Sequence, residues 1–162
     1  MTAKKDFTEE EWNKLLKAPT AVGLYIMMAD PNFIIGTMKE ALAVSNEIIK
    51  REKAKNCELL SELLADFHDK DIVQKARIEF EKKDLKVMQE QAKNAIKEAV
   101  AVLEAKATPE ESAEIRQWLY QIAQKTAEAA KEGGFLGFGG VKVSPKEQEA
   151  LEELKGLLML NQ

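Results

Sequence analysis

The chain has one histidine, His68, and it stands beside Glu58, Glu62, Asp66 and Asp69. Carboxylates three and four residues apart share a helix face, so with His68 this group makes an acidic stripe able to hold a hard cation through oxygen ligands. A di-iron carboxylate centre would need more: a Glu-x-x-His pair from each of two helices and two further glutamates. Ala65 stands three residues before His68, so that motif is absent even once. The competing reading is a solvated helix face followed by a turn, and it is the one adopted, with no metal or cofactor expected.

Nucleophilic catalysis meets the same shortage of bases. Cys57 is the single cysteine, eleven residues from His68. Beyond the basic run just upstream, nothing nearby would lower its pKa, so a structural thiol is expected. A lone cysteine also excludes an internal disulfide and fits a reducing compartment.

A third candidate is the run Gly133-Gly134-Phe135-Leu136-Gly137-Phe138-Gly139-Gly140, which holds five of the eight glycines. Glycine-rich turns feeding a helix can present amides to an anion. Here no strand precedes, no Gly-Lys-Ser/Thr follows, and the dinucleotide spacing Gly-x-Gly-x-x-Gly is missing. The run reads instead as a shaped loop in which Gly133 ends a helix and Phe135, Leu136 and Phe138 plug a groove or dock a partner. Tyr25, Met27, Met28, Phe33 and Trp118 form a fourth set, readable as core or as an apolar surface for a ligand or partner.

Composition sets the frame for these candidates. At 162 residues, 45% hydrophobic and 32% charged, the chain suits one soluble, helix-rich domain spanning residues 1–162. A net charge of −4 opposes phosphate neutralisation, so no nucleic-acid partner is expected. The first residues lack the apolar stretch of a secretory signal, which points to a cytoplasmic location. Residues 21–38 are mostly apolar, but Asp30-Pro31-Asn32 divides them into halves too short to span a bilayer. They are expected to form a buried hairpin, with shallow membrane insertion as the alternative.

The elements follow from punctuation and period. Thr8 and Glu11 have capping-box spacing, with Phe7 placed to staple onto Trp12, so a helix is predicted over residues 8–17. Pro19 should end it and open a second short helix through Met28. Asp30-Pro31 predicts a third start, running to about Lys55 with Ile35, Met38, Leu42, Ser45 and Ile49 inward. Residues 58–67 read as a short amphipathic helix. Residues 70–105 lack Pro and Gly and predict one long central helix. Thr108-Pro109-Glu110-Glu111 and Ser144-Pro145-Lys146-Glu147 open the last two helices. Val141-Lys142-Val143 is the one strand-like triplet. The expected fold is all-α, an irregular bundle of six or seven helices.

The segments Lys17-Ala18-Pro19 to Pro31 and Trp118-Leu119 through Gly133–Gly140 to Val143-Ser144-Pro145-Lys146-Glu147 resemble an uncharacterised prokaryotic family of small all-helical proteins. That resemblance implies a helical single domain and no particular activity. The leading expectation is a non-enzymatic cytoplasmic protein acting by self-association, as a homo-oligomer, or by contact with another protein. The alternative is a binding module for a small apolar or lipid-like ligand, and the third reading is an enzyme using acidic residues or a metal.

Overall fold

The computed structural model describes residues 1–30, 32–54, 56–131 and 143–160. The run Gly133–Gly140 and the start of the Val141-Lys142-Val143 triplet lie outside the described residues. Within them the fold is all-α, with no strand. The helices are α1 (Glu9–Met27), α2 (Met38–Arg51), α3 (Glu58–His68), α4 (Lys70–Lys75), α5 (Leu85–Lys106), α6 (Pro109–Lys131) and α7 (Pro145–Leu157). Short 3-10 turns at Lys4–Asp6 and Ile35–Thr37 precede α1 and α2.

The helix starts sit where capping chemistry places them. Thr8 Oγ1 accepts from Glu11 N at 3.2 Å while the Glu11 carboxylate accepts from Thr8 N at 2.8 Å. The same reciprocal pair forms between Thr108 and Glu111 and between Ser144 and Glu147. Each satisfies two amides that the first helical turn leaves without partners. The Phe7 and Trp12 rings stand 5.5 Å apart and close the expected staple.

Two expected boundaries are corrected. Pro19 lies inside α1 rather than ending a helix. A mid-helix proline forfeits one backbone hydrogen bond and costs about 3 kcal/mol. Leu15, Leu16 and Ala18 before it and Ala21, Val22, Leu24 and Ile26 after it are all buried, and that burial offsets the loss. The long central helix is the second correction: residues 76–84 are not helical and separate α4 from α5. Asp84 caps α5 by accepting from Val87 N at 3.1 Å, a start signal stronger than the unbroken composition suggested. α1 takes the central place instead, packing on α5 and α6 most extensively and also on α2, α3 and α7.

The segment after α1 also differs from expectation. The Asp30 carboxylate accepts from Asn32 N at 2.8 Å, and Phe33 N donates to Asp30 O at 3.0 Å. Asp30 therefore makes a tight turn, and α2 begins only at Met38. Ala41, Ser45 and Ile49 face inward from it. The buried apolar side chains of the described residues form one continuous cluster. No described helix is long and apolar enough to cross a membrane.

Candidate functional site

One well-formed cleft follows from the two features the sequence misread. Because α1 continues through Pro19, Leu16, Lys17, Thr20 and Leu24 fall on one helical stripe. They form the floor of a cleft of about 660 Å³, with Leu42 and Asn46 of α2 on one side. The opposite wall is Val73 and Gln74 of α4 and residues 76–80. In that wall Ile78 and Phe80 are half-buried while Arg77 and Glu79 are exposed, an alternation of period two in a stretch that is not helical.

Gln91 of α5 clasps this extended arm. Its Nε2 donates to Glu79 O at 3.2 Å, and its Oε1 accepts from Glu81 N at 3.2 Å. One carboxamide thus satisfies two backbone groups as a neighbouring strand would. The Arg77 guanidinium holds the Glu79 carboxylate, with Nε at 3.2 Å and a terminal nitrogen at 2.8 Å from one oxygen. Lys17 is half-buried and makes no ion pair among the described residues. The cleft therefore combines a lining of mixed apolar and polar side chains, an internally neutralised Arg77–Glu79 pair, and Lys17, which has no ion-pair partner among the described residues.

The acidic stripe around His68 is dispersed into structural contacts. Glu62 accepts from Lys4 N at 2.6 Å. Asp66 pairs with Lys4 Nζ at 2.6 Å and accepts from Trp12 Nε1 at 2.7 Å. Asp69 caps α4 through Asp71 N and Ile72 N. Glu58 and His68 sit at opposite ends of α3. Among the described residues no group of three acidic, histidine or cysteine side chains is arranged to hold a metal. Cys57 is buried at the start of α3, where its Sγ accepts from Leu60 N at 3.4 Å, and burial pushes its thiol up from the ordinary value. That opposes thiolate chemistry.

Tyr25, Met27, Met28, Phe33 and Trp118 are all buried, and the structure does not gather them into one surface. Tyr25 and Met28 border a small cleft of about 220 Å³ with Gln89, Lys146, Glu149 and Glu153. The Tyr25 hydroxyl donates to one oxygen of Glu153, and Lys93 Nζ donates to the other. Burial, then the Glu153 carboxylate, raises the phenol's pKa; Lys93, then Tyr25, lowers that of Glu153. Both groups are thereby fixed in their resting protonation states, and the trio ties α1 to α5 and α7. Trp118 borders a different cleft of about 400 Å³ with Glu52, Lys53, Leu60, Gln121 and Lys125, where Lys125 pairs with Glu52. Met27 and Phe33 belong to the core.

Comparison of the chain with protein-family models, curated proteins and solved structures found no match.

None of the residues lining the cleft of about 660 Å³ was expected to belong to a site. Two signals could have found them: the alternation of Arg77-Ile78-Glu79-Phe80-Glu81, and Asp84 directly before the apolar-periodic residues of α5. The composition of residues 70–105, free of Pro and Gly, concealed both.

Proposed function

We propose that this protein is a non-enzymatic binding module for a small amphipathic molecule, held between α1, α2 and the extended arm 76–80. The observation that carries this reading is the cleft of about 660 Å³ lined by Leu16, Leu24, Leu42, Val73, Ile78 and Phe80. Its volume lies in the range of small-molecule sites, and its lining mixes apolar side chains with polar ones that can orient a ligand. The self-association reading draws on the Gly133–Gly140 run, which lies outside the described residues. Among the described residues the exposed large apolar side chains are Met1 and Ile34.

Native mass spectrometry of freshly purified protein reports retained ligand and subunit number together. Titration with the neutral dye Nile red should show saturable binding of one molecule per chain, competed by 1-decanol. Thr20→Phe, which fills the cleft, should weaken that binding while the thermal midpoint stays unchanged. Absence of saturable binding, or binding unaffected by Thr20→Phe in a folded protein, refutes the reading.

A further inference from the structure

Resting on that reading, we infer that the cleft selects a free amphiphilic carboxylate and that Lys17 is the residue that receives its head group. Three observations point there. Lys17 lines the cleft, is half-buried, and makes no ion pair among the described residues, while the other basic side chain of the lining, Arg77, is already held by Glu79. The charged groups bordering the cleft therefore leave one positive charge uncompensated, in a chain whose net charge is −4. A half-buried lysine without an ion-pair partner, beside apolar side chains, is best satisfied by an anion whose own body is apolar, because the ligand's tail displaces water from around the pair it forms. Thr20, on the same α1 stripe as Lys17, and Asn46, on the α2 side of the cleft, offer a hydroxyl and a carboxamide to the second carboxylate oxygen. The apolar tail is then left to Leu42, Ile78 and Phe80.

Lysine suits this task as a compact charge on a flexible stem, whose methylenes can lie along the α1 surface while the ammonium meets the ligand. The pairing is electrostatic and non-covalent, so no group is transferred.

The test compares decanoate with 1-decanol, which share a ten-carbon chain and differ in head group, by isothermal titration at neutral pH. Wild-type protein should bind decanoate about tenfold more tightly, the gain of one charge-assisted hydrogen bond. Lys17→Met should bring the two ligands within about twofold by weakening decanoate alone, and Lys17→Arg should keep the preference. Raising the salt concentration should weaken decanoate and spare decanol in the wild-type protein, an arm that needs no variant to fold. Equal affinities in the wild-type protein, or a Lys17→Met variant that weakens both ligands alike, would overturn the role of Lys17 while leaving the cleft reading in place. Binding of neither ligand removes both. Flotation with phosphatidylglycerol vesicles in the absence of decanoate binding would overturn a free ligand in favour of a membrane surface.

Discussion

A methyl group added at Gly23 would stand 2.4 Å from Ser45 Oγ and 3.2 Å from Ser45 Cβ, with Thr126 Oγ1 at 3.6 Å. These three residues bring α1, α2 and α6 together, and Ser45 and Thr126 are fully buried with hydroxyls that have no hydrogen-bond partner among the described residues. Gly23→Ala therefore sets two effects against each other. Helix propensity favours alanine by about 1 kcal/mol in a helix interior, whereas overpacking a close contact costs about 1–3 kcal/mol. The closest atom is the tip of a side chain, but the serine Cβ behind it is also tight, so rotation of the hydroxyl relieves only part of the clash. A net destabilisation of about 1 kcal/mol is expected. Ser45→Ala should be neutral or stabilising by itself, because it removes a buried hydroxyl that forms no bond. In that background Gly23→Ala meets only the Cβ, the propensity gain prevails, and the substitution becomes neutral or stabilising. The double-mutant cycle should thus show a coupling of about 1–2 kcal/mol, read from urea unfolding followed by far-UV circular dichroism with the slope held constant. If Gly23→Ala costs the same in both backgrounds, within about 0.5 kcal/mol, the close approach of the helices is not what requires glycine.

Glu111 provides a pH test. Burial by itself would raise its carboxyl, but hydrogen bonds from Thr2 and Thr108 outweigh this and bring it to about 2. A carboxylate depressed in the folded state adds stability that is complete above the ordinary value of 4.5 and is lost as pH falls toward about 2. After solvent screening its contribution is about 1–2 kcal/mol, so Glu111→Gln should destabilise at neutral pH by that amount and flatten urea stability over this window. An unchanged acid profile refutes the assignment. Gln91→Leu should release residues 79–81, speeding tryptic cleavage at Lys82 and Lys83 several-fold and weakening 1-decanol binding while the thermal midpoint shifts by only a few degrees. A cleavage rate equal to wild type contradicts the clasp.

How much could be read in advance depends on how local each determinant is. The starts of α1, α6 and α7 were legible because Thr8/Glu11, Thr108/Glu111 and Ser144/Glu147 satisfy backbone amides within four residues, so no distant partner decides them. The amphipathic character of α3 was legible for the same reason, since a 3.6-residue period needs no tertiary knowledge. Pro19 was misread because its compensation is tertiary: the helices packed around α1 bury residues on both sides of it. The fate of Glu62 and Asp66 was hidden likewise. Their partners Lys4 and Trp12 are more than 50 residues away in sequence, and no spacing rule connects them. The cleft was the least legible feature, because it needs α1 unbroken and the 70–105 segment broken at once.

These two departures from local rule act together. A helix broken at Pro19 would rotate Thr20 and Leu24 away from Leu16 and Lys17, and the floor of the cleft would lose its common face. A helix unbroken from Lys70 would carry Ile78 and Phe80 around its axis instead of presenting them along one side of an extended arm. Each departure has a cost, the proline's lost hydrogen bond and the arm's unpaired backbone, and each is met by a specific device: core burial around α1 and the Gln91 carboxamide at residues 79 and 81. Sites where a sequence violates a local rule and compensates for it elsewhere are where function is expected to reside. The contrast with the Tyr25–Glu153–Lys93 trio supports the choice of site. There every polar group named is already paired within the protein, so nothing is left over for a ligand, whereas the cleft retains Lys17.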